Sequence, residues 1–320
     1  MTRIAIIDDW GGMVRPLAHW HRLDGRATVD AFQDTLADEA ALAKRLHPYE
    51  IVVAIRERTR FTASVINRLP TLKLLALGGR WTGQVDLAAA AARNVVVTET
   101  EGSAVNAFEH TVALMMALVR RVPQEDRAMR AGKWQTPPLG VDMAGKTLGV
   151  VGLGKIGGKM AAFGRLLGMR VLASGITLTD ERATAAGATR VDLETLLRDS
   201  DVVTVHLRLS DKSRGLITAR HLGLMKRSAF LVNTARGPIV EEAALVDALR
   251  GRRIAGAALD VFDVEPLPAG HPLLGLDNVV LTPHLGFVTA EGYDVFFGQA
   301  VESIVAFLDG KTPPRVVAPR

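Results

Sequence analysis

The chain of 320 residues contains no cysteine. Disulfide bonds, thiolate metal sites and a cysteine nucleophile are therefore excluded together. The sequence also lacks a long apolar run. The most apolar stretch, residues 112–119, is far shorter than the ~18 residues that a membrane span needs. We therefore expect that the protein does not interact with a membrane and has no metal site.

Charge of one sign is not concentrated anywhere in the chain. The net charge is +5, from 39 Lys and Arg against 34 Asp and Glu, and segments such as RERTR and EEAALVDALRGRR mix the two signs. Nucleic-acid binding usually needs a basic tract or stripe, so we do not expect a nucleic-acid partner. A mildly basic surface can instead attract anionic substrates.

The N-terminal segment MTRIAIIDDW has a short apolar stretch that ends at Asp8 and Asp9. It lacks the long apolar region and the small-residue cleavage site of a signal peptide, so it is interpreted as a first strand. Together with the absence of cysteine, this predicts a cytoplasmic protein.

Short β-branched runs alternate with segments of helical period along most of the chain. In the first hundred residues RIAIID, EIVVAIR, LKLLAL and NVVVT alternate with ADEAALAKRL, TASVINRL and VDLAAAAAR. Beyond residue 145, KTLGVVGL, MRVLAS, DVVTVHL, AFLVNTA and RIAGAALDV continue the pattern. Such alternation predicts an α/β protein with parallel sheets covered by helices on both faces.

A long helical segment separates the two regions of alternation. Ser103 can cap this helix and Pro123 would interrupt or end it. Because residues 102–287 form one complete doubly wound unit, they are predicted to be inserted into a first domain made of residues 1–101 and 288–320. The insertion would explain why a nucleotide-binding fingerprint begins halfway along the chain.

That fingerprint is G-x-G-x-x-G, formed by Gly152, Gly154 and Gly157 between an apolar run and an amphipathic segment. The three glycines permit a tight turn, a close approach of the pyrophosphate and tight helix packing. The phosphates would bind backbone N–H groups at the helix N-terminus, near Lys155 and Ile156. A dinucleotide is therefore predicted, against the alternative that the glycines only serve packing.

Three later stretches are candidates for the reaction: LVNTARGPIV with Arg236, LDVFDVEPLP with Glu265 and LTPHLG with His284. Each follows a strand-like run, and open α/β sheets bind ligands at the carboxyl ends of their strands. Taken singly, such an Arg, Glu or His is more often a surface or structural residue.

The combination resembles the D-isomer-specific 2-hydroxyacid dehydrogenase family, which includes D-glycerate, D-phosphoglycerate and glyoxylate/hydroxypyruvate enzymes. The resemblance extends over nearly the whole chain and includes IRERT, VDLAAAAARN, N-T-A-R-G, D-V-F-x-x-E-P and T-P-H-x-G. It implies a Rossmann NAD(P)-binding domain inserted into a flavodoxin-like substrate domain. It also implies that Arg236, Glu265 and His284 form the catalytic set.

The chemistry of these side chains agrees with the implied roles. Histidine titrates near neutrality and can exchange a proton with a substrate hydroxyl, which fits His284. A carboxylate on the other ring nitrogen, here Glu265, would orient the imidazole and stabilise its protonated form. The planar guanidinium of Arg236 can hold a substrate carboxylate and polarise the C2 oxygen.

Further contacts are implied by the same resemblance. Those expected along the cofactor are His206, Thr234, Ala235, Asp260 and Gly286. On the substrate side, the loop Gly79, Arg80 and Trp81 should offer backbone N–H groups to the substrate carboxylate, and further candidates are Arg56, Arg58 and Asn106. The alternative for the two arginines is pairing with neighbouring carboxylates.

The chain departs from an NAD-preferring unit at the end of the second strand of the fingerprint. There an Asp or Glu would bind both ribose hydroxyls and repel a 2′-phosphate, whereas this chain has Ser174 and Gly175. The nearest later arginine, Arg182, lies in the next predicted helix. We therefore expect NAD or NADP as cofactor, with relaxed discrimination.

The leading hypothesis is an NAD(P)-dependent oxidoreductase that interconverts a D-2-hydroxy acid and a small 2-oxo acid such as glyoxylate or hydroxypyruvate. The alternative is a dinucleotide-sensing scaffold, because the family also includes corepressors. A homodimer is expected, because VALMMALV and the segment to Trp134 are more apolar than one domain needs and the matching region forms a two-fold dimer in relatives. Burial of these residues within one chain is the alternative.

Overall fold

A computed structural model describes residues 1–318, which divide into two compact units. Unit 1 contains residues 1–103 and the chain from residue 289 onward, and unit 2 contains residues 104–288. Each unit is built on its own parallel sheet with helices, which confirms the predicted α/β fold class.

Unit 1 has five strands, numbered here in chain order: β1 (Thr2–Ile7), β2 (Ala27–Ala31), β3 (Ile51–Ile55), β4 (Leu74–Gly78) and β5 (Val96–Thr98). They pair in parallel in the order β2-β1-β3-β4-β5. Every residue of β3 and β4 is buried. Continuous burial explains why these strands are apolar runs rather than alternating ones.

The helices of unit 1 are α1 (Glu39–Leu46), α2 (Ala63–Asn67), α3 (Leu87–Ala92) and the C-terminal α11 (Ala290–Leu308), with a 3-10 helix at Ala18–Leu23. Asp38, Thr62 and Asp86 cap α1 to α3 by accepting a backbone N–H of the first turn. The C-terminal helix packs on the sheet, with the Phe297 ring 3.3 Å from the Cβ position of Gly78.

Unit 2 has seven strands: β6 (Thr147–Val151), β7 (Arg170–Ser174), β8 (Thr189–Arg190), β9 (Val202–Val205), β10 (Phe230–Asn233), β11 (Gly256–Leu259) and β12 (Val279–Leu281). They pair in parallel in the order β12-β11-β10-β9-β6-β7-β8. The strand order reverses direction at β6, which carries the fingerprint, and such a switch point is where open α/β sheets bind ligands.

The helices of unit 2 are α4 (Ala104–Val119), α5 (Val122–Arg130), α6 (Lys155–Leu166), α7 (Asp180–Ala185), α8 (Leu193–Asp199), α9 (Ala219–Leu224) and α10 (Glu242–Arg250). Two 3-10 helices lie at Gly237–Ile239 and Pro272–Gly275. The predicted long helix is two helices, because Arg121 adopts a left-handed backbone between them and Pro123 lies in the first turn of α5.

The apolar residues of α4 are mostly core residues of unit 2. Leu114, Met115 and Leu118 are at most 4% exposed and pack with β6 and α6 side chains such as Leu148 and Met160. No large apolar side chain of residues 112–119 is exposed, so the predicted excess of apolar surface does not lie in the VALMMALV segment. Exposed apolar side chains occur in the following segment instead, at Val122, Met129, Trp134 and Leu139.

Among residues 1–318, the structure contains no helix long and apolar enough to cross a membrane. Over the same part of the chain, no group of three or more His, Asp or Glu residues is arranged to hold a metal ion.

The junction of β6 and α6 explains two of the fingerprint glycines by packing alone. Gly152 adopts a φ of 99°, a conformation that suits glycine. A Cβ at Gly157 would lie 2.1 Å from the backbone oxygen of Gly152, whereas a Cβ at Gly158 would meet nothing within 4 Å. Gly157 is therefore required for α6 to approach the sheet, and Gly158 is not.

We predict opposite effects of Ala at these neighbouring glycines. Gly157→Ala should destabilise unit 2 by about 1–3 kcal/mol, because the backbone must move apart. Gly158→Ala should stabilise the protein by about 0.5–1 kcal/mol, because Ala favours a helix interior. Thermal unfolding of both variants measures this. Equal midpoints for the two variants would contradict the packing at Gly157.

Candidate active site

The predicted catalytic residues follow three neighbouring strands of unit 2. Arg236 lies three residues after β10, Glu265 six residues after β11 and His284 three residues after β12. Because β10, β11 and β12 are adjacent and parallel, their carboxyl ends lie at the same edge of the sheet, about 5 Å apart from strand to strand. The topology therefore brings together residues that are far apart in sequence.

His284 and Glu265 are in direct contact. The Nδ1 atom of His284 lies 2.6 Å from Oε2 of Glu265, and both side chains are largely buried. The other oxygen, Oε1 of Glu265, accepts the backbone N–H of Phe262 at 3.0 Å, which holds the carboxylate in place. This carboxylate selects the tautomer with a proton on Nδ1, so Nε2 is the nitrogen that can exchange a proton with a substrate.

The loop that carries His284 is held by the buried carboxylate of Asp260. Its Oδ1 accepts Thr282 Oγ1 at 2.6 Å, the Leu285 N–H at 2.7 Å and His110 Nε2 at 3.1 Å. Its Oδ2 accepts the Gly286 N–H at 2.9 Å. Burial alone would raise the pKa of Asp260, but the hydrogen bonds, first among them those from His110 and Thr282, lower it. Asp260 therefore stays ionised and binds the backbone directly after His284.

His284 itself has a left-handed backbone, with a φ of 54°. Its N–H donates to the carbonyl oxygens of Asp260 at 2.9 Å and Thr282 at 3.0 Å. Such a conformation is uncommon for a residue other than glycine and is kept only where the surroundings stabilise it. The anchors at Asp260 provide that stabilisation.

Arg236 lies on a loop that is in backbone contact with the Glu265 loop. The carbonyl oxygen of Arg236 accepts Nδ2 of Asn233, and a Cβ at the next residue, Gly237, would lie only 2.1 Å from the carbonyl carbon of Phe262. One guanidinium nitrogen, Nη1, donates to the Ala235 carbonyl at 2.6 Å. The two loops are therefore packed against each other without an intervening side chain.

Gly154 is the fingerprint glycine that packing does not explain. A Cβ there would meet no protein atom within 4 Å, and its φ of −88° is open to any residue. The residue precedes α6, so the first N–H groups of the helix, beginning at Lys155 and Ile156, border this open space. An unfilled space at a helix N-terminus fits a pyrophosphate group that must approach the backbone closely. The residues present therefore fit a dinucleotide.

The other cofactor candidates lie around the same sheet edge of unit 2. The carbonyl of Ser174, the last residue of β7, accepts the Gly152 N–H at 2.7 Å. His206 follows β9 and contacts Thr204 Oγ1 through Nε2 at 2.8 Å. Burial lowers the pKa of His206 to about 3, so its ring is neutral near pH 7. Thr234 and Ala235 follow β10, where Thr234 Oγ1 contacts Thr111 Oγ1 at 2.7 Å.

Most of the substrate candidates lie in unit 1. Arg56 follows β3, and a Cβ at Gly79, which follows β4, would lie 2.9 Å from the Arg56 Cδ atom, so the arginine side chain covers this glycine. Arg56 Nε lies 3.7 Å from Glu57 Oε2, and Arg58 donates to the Asp8 carbonyl and covers the Trp10 ring. Pairing with a neighbouring carboxylate is thus seen for Arg56, whereas these contacts of Arg58 are with a backbone carbonyl and an aromatic ring.

Trp81 does not fit the expectation that its backbone N–H binds the substrate carboxylate. Its backbone N–H donates to Glu99 Oε2 at 2.8 Å, and its indole Nε1 donates to the Val85 carbonyl. The Trp81 N–H is therefore already bound to a carboxylate within unit 1, and the backbone donors expected for the substrate are reduced to Gly79 and Arg80. The remaining candidate, Asn106, lies in the first turn of α4 in unit 2.

Sequence reasoning missed the residues that position the site. His110, Thr282 and Asn233 hold Asp260 or the Arg236 loop, but none of them carries a motif of its own. The only signal was that Asn233 and Thr282 stand inside the N-T-A-R-G and T-P-H-x-G runs. His110, on α4, is more than 100 residues away from its partner in sequence.

Comparisons with known proteins agree with this geometry. The family described as "D-isomer specific 2-hydroxyacid dehydrogenase, NAD binding domain" matches residues 112–286. A glyoxylate reductase of Aeropyrum pernix is 40% identical over 267 residues, which are 81% of this chain and 80% of that protein. The crystal structure of a phosphoglycerate oxidoreductase from Vibrio cholerae is 37% identical with a TM-score of 0.91, over 97% of this chain and 100% of that one.

A D-3-phosphoglycerate dehydrogenase of Archaeoglobus fulgidus is also 40% identical, over 252 residues that make up 78% of this chain. The matched region is only 48% of that relative, so the chain spans about half the length of this longer protein. The family match covers more than half of the chain, and relatives above 30% identity cover more than two thirds of it. The chain therefore belongs to the D-isomer specific 2-hydroxyacid dehydrogenase family, whose named members here are oxidoreductases.

Proposed function

We propose that the protein interconverts a D-2-hydroxy acid and the corresponding 2-oxo acid, with NAD(P) as the redox partner. The observation that carries this proposal is the 2.6 Å contact between His284 and Glu265, on the sheet edge that also holds Arg236. An imidazole backed by a carboxylate can exchange the hydroxyl proton in hydride transfer at a secondary alcohol, and a guanidinium on the same sheet edge can bind the substrate carboxylate.

The glycine loop at Gly152 and Gly154 would hold the dinucleotide, which in the direction of reduction would supply the hydride for C2 of the 2-oxo acid. The protonated His284 donates its Nε2 proton to the C2 oxygen, which becomes the hydroxyl group. Glu265 stabilises the imidazolium before the transfer and keeps the ring oriented afterwards. Arg236 binds the substrate carboxylate and polarises the C2 oxygen through its planar N–H groups. Oxidation of the alcohol reverses each step.

For the substrate, we propose a small 2-oxo acid such as glyoxylate or hydroxypyruvate. The glyoxylate reductase name of one relative supports this choice. Gly79, Arg80 and Arg56 of unit 1 and Asn106 of unit 2 are proposed as substrate contacts, with Trp81 contributing its side chain rather than its N–H. Asp260 would contact the nicotinamide carboxamide in addition to its four bonds within unit 2.

For the cofactor, we propose NAD or NADP with relaxed discrimination. The support is the end of β7, where Ser174 and Gly175 replace the carboxylate that would repel a 2′-phosphate. His206, Thr234, Ala235 and Gly286 are proposed to border the bound cofactor.

A homodimer and a cytoplasmic location also remain proposals. The exposed apolar side chains of residues 122–139 support the dimer, since Trp134 is 77% and Leu139 90% exposed. A second copy of the chain would remove these side chains from water. The absence of cysteine supports the cytoplasm as the compartment.

The direct test is a panel of 2-oxo acids, including glyoxylate, hydroxypyruvate and pyruvate, with NADH and NADPH. We expect oxidation of at least one cofactor with at least one acid, followed by absorbance at 340 nm. Tight binding of cofactor without turnover on any acid, or on any D-2-hydroxy acid in reverse, would contradict the enzyme and favour a dinucleotide-sensing scaffold.

We predict that His284→Gln lowers kcat by about 10²–10⁴-fold while dinucleotide affinity changes little, because the proton donor is lost and the glycine loop is untouched. His271 is the matched control, since its Nε2 lies 3.0 Å from Glu242 Oε1 and its pair is about as buried. His271→Gln should retain most activity. Near-normal turnover of His284→Gln would rule out its acid/base role.

Gly154→Ala should weaken dinucleotide binding by about tenfold or more without a large change in stability. The added methyl group fills space that no protein atom occupies, and a pyrophosphate needs that space. Calorimetric titration with both cofactors measures the affinity, and thermal unfolding measures the stability. Unchanged affinity in this variant would show that the phosphates bind elsewhere.

A further inference from the structure

A guanidinium lies against the glycine loop of unit 2. Arg182, in the first turn of α7, extends back toward β6, where its Nη2 donates to the carbonyl of Leu153 at 3.4 Å. Its Nη1 donates to the carbonyl of Thr177 at 3.0 Å. Leu153 stands between Gly152 and Gly154. Arg182, which the sequence placed in the next helix, is therefore next to the loop expected to hold the pyrophosphate.

The end of β7 touches the same loop. The Ser174 carbonyl accepts the Gly152 N–H at 2.7 Å, and a Cβ at Gly175 would lie 3.9 Å from the Gly152 Cα atom. In a dinucleotide-binding unit the adenosine ribose lies between these two elements. Arg182 therefore borders the position of the 2′-substituent of the ribose. The neighbouring end of β7 is the one that lacks a carboxylate.

The charge of Arg182 is not neutralised by its contacts. Both of its recorded acceptors are carbonyl oxygens, which orient the guanidinium but carry no formal charge. Two of its five N–H groups make these bonds, and a guanidinium fork can bind phosphate oxygens through the others. Carbonyl anchors of this kind pre-orient an arginine for an anionic ligand.

A second arginine belongs to the same surface. Arg190, at the end of β8, lines an open pocket together with Ser174, Gly175, Val191 and Asp192. Two carboxylates are close, but both have partners: Asp180 pairs with Arg190 at 3.5 Å, and Asp192 caps α8 by accepting the Thr195 N–H and hydroxyl. The pocket is therefore lined by one arginine, Arg190, and by one carboxylate, Asp192, which is already engaged as the cap of α8.

We propose that Arg182, assisted by Arg190, binds the 2′-phosphate of NADP(H), so that the protein accepts both cofactors but binds NADP(H) more tightly than NAD(H). This inference rests on the proposed function in one respect, since it assumes that a dinucleotide binds at the glycine loop. It goes further by assigning the residues that select the cofactor. Arg182 is a binding residue here and takes no part in the chemical step.

The test is a titration of the full-length protein with NADP⁺ and NAD⁺ by calorimetry at low ionic strength. Adenosine 2′,5′-bisphosphate and 5′-AMP serve as probes of the phosphate alone. We expect NADP⁺ to bind about tenfold more tightly than NAD⁺, and the bisphosphate more tightly than 5′-AMP. The preference should shrink as salt is added, because the pocket is open to solvent.

Arg182→Gln should lower the affinity for NADP⁺ about tenfold, while the affinity for NAD⁺ changes less than about threefold. Most of the preference for NADP⁺ over NAD⁺ should therefore be lost. Arg198→Gln is the matched control, since Arg198 is an exposed arginine of α8 that pairs with Glu194. The Arg198→Gln variant should prefer NADP⁺ over NAD⁺ to the same extent as the wild type. Thermal unfolding establishes that both variants fold.

The following results would contradict the assignment of Arg182 or of the dinucleotide site. Equal or tighter binding of NAD⁺ by the wild type, or equal losses for both cofactors in Arg182→Gln, would overturn the assignment. Asp192→Asn keeps the helix cap, so a selective loss of NAD⁺ in that variant would show that Asp192 binds the ribose instead. Binding of neither cofactor would overturn the proposed function itself, which distinguishes the two failures.

Discussion

The ionised carboxylate of Asp260 is the interaction on which the site depends. It is almost completely buried, yet it accepts hydrogen bonds from His110 of α4, from Thr282 directly after β12 and from the two backbone N–H groups that follow His284. An unpaired charge in that place would be strongly unfavourable, so the surrounding groups must stay in position. A left-handed histidine is thereby held where its ring meets Glu265. The geometry of the His284–Glu265 pair thus depends on several elements of unit 2.

The contrast between the three glycines shows how packing and binding can be separated. Gly152 and Gly157 are explained by the backbone of the protein, and Gly154 only by something outside it. The G-x-G-x-x-G pattern in the sequence does not distinguish the roles of these three glycines. The structure assigns the first two to the junction of β6 and α6 and gives the third no packing role, which is compatible with the proposed pyrophosphate site.

Much of the fold could be predicted because its strands are buried on both faces and are therefore continuous apolar runs, as in β3, β6 and β10. The strands that the sequence pattern did not indicate are edge strands. β2 is only partly buried and β8 has two exposed residues, so neither has an apolar signature. The catalytic candidates were found because motifs mark them. The hydrogen bonds of Asp260 and the direction of the Arg182 side chain could not be found, because they depend on contacts between residues far apart in sequence.

The close approach of Gly237 to Phe262 has a consequence for how this site can vary. Since no side chain separates the two segments, any larger residue at position 237 would push the guanidinium and the acid of the pair apart. Position 237 therefore admits only glycine if the two segments are to keep their separation. A different substrate preference would have to come from residues outside this junction, while the proposed proton transfer by His284 stays the same.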